Sequence, residues 1–424
     1  MCGIGSFFYK SFCIAVMYML AAPGVFSQNN ILPPAEADIW ILAGQSNMAG
    51  AGRTKDTTVD SNVWMLNMDR KWMVAQNPLH RVFEASAPAY KTGMYELIVK
   101  NTKKSREEFD KEFKTNRDLS LKDPASVAGV GPGLYFGRLL ANQLKHPVAL
   151  IPCALGGSTI ELWNPLKKNK GDSSLYGALL NSTGQFKNRI RGILWSQGES
   201  EAMLSLMDTY EEKLLSFIDH VREDLGNPDL PFIIVQIGRM ITDAEAQQHN
   251  WEVIREIQRR VAGRRKNVFL TTGIDLPLDD AVHTSTAGQK RLGYRMAEIA
   301  LSMVYKMPGH GTPINLESVS LKEDKSSNLH YLKLHFSGVT GKLNSCDPPG
   351  QFEIRIDGKM NFMYTVCRTE LDPEDPAGIK LFLSAKPPGQ AKLFCGKGTN
   401  PVMNVKDDLD IPLPAFGPVD VPEK

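Results

Sequence analysis

A serine, an aspartate and a histidine stand where they could form a catalytic triad. Ser46 lies in the segment GQSNM, directly after the apolar run 38–43, and Asp280 stands three residues before His283 in the segment DAVH. A serine hydroxyl is a weak nucleophile that needs a base, usually an imidazole held in one tautomer by a carboxylate. These residue types predict covalent catalysis with Ser46 as nucleophile, His283 as base and Asp280 as the orienting carboxylate.

Each of these motifs also has an ordinary structural interpretation. A serine after a strand is often a helix N-cap, and an aspartate three residues before a histidine is a common pattern. Asp275 and Asp279 compete for the role of the carboxylate, and His80 and His249 compete for that of the base. Neither histidine directly follows a predicted parallel strand, so His283 is favoured.

Two more segments could stabilise a negatively charged oxygen. Gly156 and Gly157 follow the apolar run 147–152, where a backbone N–H can approach an oxyanion, although a glycine-rich turn alone explains the pair. Gln197 follows the run 192–196, and its amide can donate to the same oxyanion. Glu199 is either an acceptor behind the site or a carboxylate at a helix start, with the second interpretation slightly ahead.

The elements around these motifs alternate between apolar runs and amphipathic stretches from about residue 38 to residue 306. Continuous apolar runs are typical of parallel strands covered on both faces, so the pattern predicts a doubly wound α/β domain. The predicted strands are 38–43, 63–68, 147–152, 192–196, 232–237 and 267–272. The predicted helices are 134–144, 205–225, 251–262 and 286–305. Ligand sites in such sheets lie beyond the carboxyl ends of the strands, where the four motifs fall.

Two regions depart from the alternation. Residues 69–130 form a long connection with a charge-rich run at 100–123, which predicts a helical or loop insertion on the surface. Beyond Pro308 the sequence turns to proline, glycine and segments of period two, which predicts a small β-sandwich-like domain over residues 317–424.

The N-terminus has the composition of an export signal. Lys10 is the only charged residue before Glu36, and residues 12–26 are almost wholly apolar. Residues 1–27 are therefore predicted to be a signal peptide, which places the mature chain in the periplasm or outside the cell. A membrane anchor is the alternative, but the apolar run is shorter than the ~20 residues of a bilayer span.

Composition and cysteines limit the remaining classes of function. The formal net charge of +2 offers no strong field for nucleic acid or an anionic membrane. Cys153 lies in an apolar run and is expected to be a buried small side chain, whereas Cys346, Cys367 and Cys395 allow one disulfide with three choices of pair. The spacing of Cys and His residues does not suggest a zinc site.

Taken together, the segments GQSNM, GGST, WSQGES and DAVH resemble the SGNH hydrolases, in particular their branch of sialate O-acetylesterase-type carbohydrate esterases. The resemblance covers about residues 38–306. It implies a hydrolase domain over residues 28–310 with a flavodoxin-like three-layer α/β/α sandwich, a parallel sheet and no metal or other cofactor. It also implies an acetylated carbohydrate as the substrate, with sialic acid, xylan and related glycans all open.

The same resemblance implies the roles of single residues. Ser46 N–H, a glycine of the 156–157 pair and Gln197 would form the oxyanion hole, although many relatives carry asparagine in place of Gln197. Side chains expected around the substrate are Gln45, Asn47, His80, Trp163 and Glu199. Burial in the core is the common explanation for the tryptophan.

The sequence leaves two other functions open. One is a carbohydrate-binding protein that has kept the scaffold without catalysis, and the other is an esterase for short-chain esters other than sugars. Loss of a catalytic residue would mark the first, and none is lost. The sequence offers no broad apolar lid, which counts against long-chain substrates. It does not indicate an oligomeric state.

Overall fold

The computed structural model describes residues 32–423 of the 424-residue chain. The predicted signal peptide at residues 1–27 lies outside the described residues. The strands are β1 Asp38–Gly44, β2 Val63–Leu66, β3 Trp72–Val74, β4 Val148–Pro152, β5 Ile190–Ser196, β6 Phe232–Gln236, β7 Val268–Thr272, β8 Asn315–Asp324, β9 Leu329–Ser337, β10 Asn344–Ser345, β11 Phe352–Ile356, β12 Lys359–Met360, β13 Val366–Leu371, β14 Gly378–Leu383, β15 Lys392–Cys395, β16 Val405–Lys406 and β17 Phe416–Asp420. The α-helices are α1 Ser46–Ala49, α2 Pro88–Thr102, α3 Arg106–Lys122, α4 Gly133–Leu144, α5 Leu175–Thr183, α6 Glu199–Met203, α7 Tyr210–Asp224, α8 Glu245–Arg264 and α9 Thr286–Met303.

The central sheet has the strand order β3-β2-β4-β1-β5-β6-β7. Every neighbouring pair in it is parallel except β2 and β3, which pair antiparallel at one edge. The five strands β4-β1-β5-β6-β7 follow the order 2-1-3-4-5, in which the chain reverses direction across the sheet beside β1. The predicted α/β class with a parallel-rich sheet is confirmed.

Strand β1 explains why the sheet is covered on both faces. All seven of its residues are buried. Ile39 and Ile41 pack into one apolar cluster, whereas Trp40 and Leu42 pack into another on the opposite face, because successive side chains of a strand point to opposite sides. Because both faces of β1 are buried, its sequence does not alternate between apolar and polar residues and is continuously apolar instead.

The predicted elements agree with the structure except at the helix starts and in the long connection. The six predicted strands occur with ends shifted by no more than two residues. Helix α7 begins later than the prediction and α8 begins earlier, since surface turns of amphipathic helices carry little periodic signal. The insertion holds α2 and α3, and α3 opens with a capping box in which Ser105 and Glu108 satisfy each other's backbone N–H groups. Strand β3 and helix α5 were not predicted.

The C-terminal region is rich in β-strands, as predicted. It contains the four-stranded sheets β12-β11-β15-β17 and β13-β14-β9-β8 and the pair β10-β16, and its strands pair antiparallel. Side chains of these sheets form an apolar cluster of their own, which Ile274 joins from the loop after β7. Arg255 of α8 is fully buried and donates to the carbonyl oxygen of Gly398 at 2.6 Å. The region is therefore bonded directly to the helices of the central sheet.

The cysteines do not form the disulfide that the sequence allowed. Cys346, Cys367 and Cys395 are free thiols, and so is Cys153. Cys153 and Cys395 are buried in apolar clusters, and burial raises the pKa of the Cys153 thiol to about 12. Within residues 32–423, none of the helices combines the length and the apolar character that crossing a bilayer requires.

Candidate active site

The three predicted catalytic residues meet at the carboxyl end of the central sheet. Ser46 starts α1 directly after β1, and His283 lies in the loop between β7 and α9. His283 Nε2 lies 3.1 Å from Ser46 Oγ, and His283 Nδ1 lies 2.8 Å from Asp280 Oδ2. A hydrogen-bonded chain thus runs from the hydroxyl through the imidazole to the carboxylate, which is the arrangement that activates a serine.

The turn before Ser46 depends on a glycine. Gly44 has φ of +127°, and a Cβ on it would lie 2.0 Å from the carbonyl oxygen of Ser196 at the end of β5. The same carbonyl accepts a hydrogen bond from the N–H of Gln45 at 2.8 Å. Only a glycine permits this approach, which places Ser46 above the junction of β1 and β5.

Asp280 is held in the ionised form. Its Oδ1 accepts the N–H groups of Val282 at 2.9 Å and His283 at 2.8 Å. Burial alone would raise the pKa of Asp280, but these two N–H groups and the His283 imidazole outweigh burial and hold the pKa well below its usual range. Arg53 adds a guanidinium nitrogen 3.3 Å from Oδ2. An ionised carboxylate here can fix the imidazole tautomer and stabilise an imidazolium.

The other candidates for the carboxylate and the base lie away from Ser46 or bind other groups. Asp279 accepts the backbone N–H of Arg53 at 2.7 Å, and Asp275 forms an ion pair with Arg295 at 2.6 Å. His249 is exposed on α8. His80 is buried behind α1. Of the candidates named from the sequence, His283 is the histidine hydrogen-bonded to Ser46, and Asp280 is the carboxylate hydrogen-bonded to His283.

Of the two glycines predicted for the oxyanion hole, Gly156 lies next to Ser46 and Gly157 does not. A Cβ built on Gly156 would lie 3.7 Å from Ser46 Cβ, whereas one on Gly157 would face Leu97. Within residues 32–423, neither the N–H of Gly156 nor that of Ser46 donates a hydrogen bond. Two free N–H groups beside a nucleophile are what an oxyanion hole requires.

Gln197 occupies a different place from the predicted one. Its side chain has no exposed surface, and its Nε2 donates to the carbonyl oxygen of Ser158 at 3.2 Å and to the carboxylate of Glu201 in a short hydrogen bond. An amide nitrogen carries two hydrogens, so both are occupied. Gln197 is therefore buried and hydrogen-bonded to Ser158 and Glu201, and it is not placed as an oxyanion donor in this structure.

Asn47 joins the nucleophile turn to the histidine loop. Its Nδ2 donates to Glu199 Oε1 at 2.7 Å, and its Oδ1 accepts the N–H of Thr284 at 3.0 Å. Glu199 is buried, and its Oε2 has no hydrogen-bond partner among residues 32–423. Burial raises the pKa of this carboxyl, whereas the hydrogen bond from Asn47 opposes that rise. Gln45 is also buried, and its Oε1 accepts the N–H of Gly198 at 3.3 Å. These three residues therefore support the site from behind.

Comparison with known proteins identifies the domain. A family model described as carbohydrate esterase, sialic acid-specific acetylesterase, matches residues 36–302, which is more than half of the chain.

The chain belongs to this carbohydrate esterase family.

Relatives agree with the assignment. A probable carbohydrate esterase of Arabidopsis thaliana is 27% identical over 298 residues, which cover 64% of this chain and 92% of that protein. Human sialate O-acetylesterase is 22% identical over 279 residues, which cover 56% of this chain and 47% of that protein. The predicted family and reaction class, hydrolysis of O-acetyl esters on carbohydrates, are confirmed at this level.

A solved structure shows how far the shared fold extends. A carbohydrate acetylesterase from Xanthomonas citri superposes with a TM-score of 0.62 at 18% identity, covering 89% of this chain and 80% of that chain. The superposed part of this chain is longer than the residues 36–302 that the family model matches, so it includes part of the C-terminal β-rich region. The likeness shows the fold.

Two residues predicted to contact substrate are buried in this esterase. Trp163 has no exposed surface, donates from Nε1 to Ser158 Oγ at 3.1 Å and packs edge-on against Trp195. His80 lies beneath β1 with its Nε2 3.5 Å from the carbonyl oxygen of Leu42, and burial lowers the pKa of this imidazole to about 4. Both are corrected here to core residues, because neither presents a side chain to the cleft.

Two residues that contact the site of this esterase were not predicted from the sequence. Arg53 contacts both Asp279 and Asp280 from a loop, and Gln289 of α9 donates to the carbonyl oxygen of Asn47 at 3.1 Å. Neither residue belongs to a motif. Only its spacing just after the GQSNM segment could have drawn attention to Arg53.

Proposed function

We propose that this protein removes acetyl groups from carbohydrate hydroxyls by a serine-esterase mechanism. The observation that carries the proposal is the hydrogen-bonded chain from Ser46 through His283 to Asp280, in a chain that belongs to a carbohydrate esterase family. The strand order 2-1-3-4-5 and apolar clusters on both faces of the sheet support a flavodoxin-like three-layer arrangement for this domain.

The first half-reaction transfers the acetyl group to the enzyme. Ser46 Oγ attacks the acetyl carbonyl carbon while His283 Nε2 takes the hydroxyl proton. The carbonyl oxygen becomes an oxyanion, for which the N–H groups of Ser46 and Gly156 are the donors. Asp280 holds Nδ1–H and stabilises the imidazolium. The ester C–O bond then breaks, and His283 returns its proton to the departing sugar oxygen.

The second half-reaction releases acetate by the same groups. A water molecule attacks the acetyl-enzyme carbonyl, His283 takes a proton from that water, and the same N–H groups hold the second oxyanion. The bond to Ser46 Oγ breaks, and the hydroxyl regains its proton from the imidazolium. Products are acetate and the free sugar hydroxyl.

Acetate release from a panel of esters tests this proposal. O-acetylated sialic acid, acetylated xylan and a simple acetyl ester are compared for wild type, Ser46→Ala and the exposed control Ser326→Ala. We expect release by wild type and the control, with a loss of at least about 10⁴-fold in Ser46→Ala. Equal rates in all three proteins would exclude Ser46 as the nucleophile. Release from the simple ester alone would favour a short-chain esterase that does not act on sugars.

A further inference from the structure

The histidine loop starts inside the core of the C-terminal β-rich region. This loop comprises residues 273–285, between β7 and α9, and carries Asp280 and His283 in its second half. Its second residue, Ile274, is fully buried in the apolar cluster of the C-terminal sheets. A Cβ built on Gly396, directly after β15, would lie 3.4 Å from Ile274 Cδ1. The first part of the loop is therefore packed against the C-terminal β-rich region.

A buried arginine connects the next residue of the loop, Asp275, to the same region. Arg295 of α9 is buried and donates to Asp275 Oδ1 at 2.7 Å and to Asp275 Oδ2 at 2.6 Å. Its Nε also donates to the carbonyl oxygen of Asp410, between β16 and β17, at 2.7 Å. Because two parallel hydrogen bonds between a guanidinium and a carboxylate fix their relative geometry, Arg295 holds Asp275 in place beside Asp410.

Arg239, which follows β6, makes a third connection. One of its terminal nitrogens donates to the carbonyl oxygen of Leu276 in the histidine loop at 3.1 Å. The other donates to Oδ1 of Asn400 in the C-terminal β-rich region at 3.1 Å. Three successive residues of the loop are thus joined to that region, one by packing and two through an arginine.

The backbone after Arg239 extends the connection to the catalytic end of the loop. The N–H of Met240 donates to the carbonyl oxygen of Thr399 at 2.9 Å. The N–H of Ile241 donates to the carbonyl oxygen of Ala281 at 2.7 Å. Since Ala281 directly follows Asp280, two adjacent peptide groups lie between the C-terminal β-rich region and the neighbour of the catalytic carboxylate.

The segment that Met240 contacts is itself held firmly. The buried Arg255 donates to the carbonyl oxygen of Gly398 at 2.6 Å and to that of Thr399 at 3.3 Å. The N–H of Thr399 donates to Gln248 Oε1 at 2.8 Å. Hydrogen bonds to a buried guanidinium are charge-assisted and strong, so Thr399 is a fixed support for Met240.

We propose that the C-terminal β-rich region positions His283 for catalysis by holding the histidine loop, with Ile274, Asp275 and Leu276 as the residues through which it acts. The proposal rests on the proposed function, in which His283 is the base. These contacts keep His283 Nε2 within hydrogen-bonding distance of Ser46 Oγ. A misplacement of about 1 Å in a reacting group can cost about 10²-fold in rate, so the C-terminal β-rich region contributes to kcat.

Two matched substitutions in one apolar cluster test the proposal. Ile274→Ala and Ile379→Ala remove the same atoms from fully buried positions of this cluster, but Ile379 lies on β14, outside the histidine loop. On a simple acetyl ester we expect kcat to fall about 10- to 100-fold in Ile274→Ala with KM little changed, and to stay within about twofold of wild type in Ile379→Ala. Equal kcat in the two folded variants would overturn the proposal. The pair Ile274→Val and Ile379→Val, which is less destabilising, should show the same difference at a smaller magnitude.

A double-mutant cycle distinguishes positioning from a general loss of folded protein. His283→Ala removes the group that the loop positions, so adding Ile274→Ala to it should change the residual kcat by less than about twofold. A further fall as large as the one that Ile274→Ala causes alone would show that the effect does not act through His283, and would contradict the proposal.

Hydrogen exchange keeps this test separate from the esterase proposal. Deuterium uptake is measured by mass spectrometry in a peptide that covers residues 273–285. We expect uptake about tenfold faster in Ile274→Ala than in wild type and Ile379→Ala, because the loop opens more often once its anchor is lost. This expectation holds even if wild type releases no acetate, a result that would count against the proposed function alone. Equal uptake in the two variants would overturn the positioning role, whether or not esters are hydrolysed.

Discussion

Two carboxylates lie beside the histidine loop in opposite surroundings. Asp280 is about one-third exposed (32% of its side chain) and accepts two backbone N–H groups besides the imidazole, so its pKa is lowered. Glu199 is 3% exposed and has one hydrogen bond from Asn47, so burial raises its pKa. The loop after β7 thus carries the carboxylate whose pKa is lowered, and the start of α6 carries the one whose pKa is raised.

This difference supports the proposed role of Asp280 and a separate role for Glu199. A carboxylate that orients a catalytic imidazole must stay negative while the imidazolium forms, which the surroundings of Asp280 provide. The surroundings of Glu199 suit a supporting group, since its carboxyl is connected through Asn47 to the backbone of Thr284.

The largest expected effect comes from neutralising each carboxylate in turn. Asp280→Asn is expected to lower kcat about 10⁴-fold, because an amide at this position favours the wrong imidazole tautomer. Glu199→Gln is expected to lower kcat about tenfold or less, since the amide oxygen of the new side chain can still accept the hydrogen bond from Asn47 Nδ2. Steady-state rates on a simple acetyl ester measure both. A loss in Glu199→Gln as large as that in Asp280→Asn would reverse the two roles.

A second expected effect concerns stability in acid. His80 is buried, and its pKa of about 4 lies below the ordinary value of about 6.5 that the unfolded chain regains. The unfolded chain therefore binds a proton first as the pH falls, and about 3 kcal/mol of unfolding free energy is lost between those two pKa values. Urea denaturation between pH 7 and about pH 4 should show a shallower loss in His80→Phe than in wild type.

The exposed His249 supplies the control for this experiment. His249→Phe replaces an imidazole that lies exposed on α8 and has no buried surroundings to lose, so it should keep the wild-type dependence on pH. Identical slopes in His80→Phe and wild type would show that His80 does not titrate as its burial requires.

The smallest expected effect comes from removing the side chain of Asn47, which connects Glu199 at the start of α6 to the histidine loop. Asn47→Ala leaves the buried Glu199 carboxyl without its donor and the N–H of Thr284 without its acceptor, so the free energy of unfolding should fall by about 2 kcal/mol. The exposed Asn315→Ala should change it by less than about 0.5 kcal/mol. Urea midpoints measure both changes. Equal midpoints for Asn47→Ala and Asn315→Ala would show that the hydrogen bonds of Asn47 to Glu199 and Thr284 do not stabilise the fold.

Much of the sheet, and the proximity of Ser46, Asp280 and His283, could be predicted from the sequence for physical reasons. Strands such as β1 are buried on both faces and have continuous apolar sequences, and parallel strands bring their carboxyl ends to one edge. Ser46 and His283 could therefore be assigned to one site although they lie far apart in the chain. The short motifs carried this information because they directly follow strands.

The errors have physical causes as well. Gln197 has the chemistry of an oxyanion donor, but sequence does not reveal that Glu201, one helical turn later, occupies its amide. His80 and Trp163 are side chains suited to sugar contact, and only burial decides otherwise. Arg53 contacts Asp279 and Asp280 from a loop, and a loop has no sequence periodicity from which such contacts could be predicted.

In the proposed mechanism Ser46 carries the acetyl group during the reaction. Rapid quenching of wild type during turnover of a simple acetyl ester, followed by peptide mass spectrometry, tests this directly. We expect an acetyl group on the hydroxyl of Ser46, and none on this peptide from Ser46→Ala. Turnover with the acetyl group on another residue, or with no covalent acetyl-enzyme at any quench time, would contradict it.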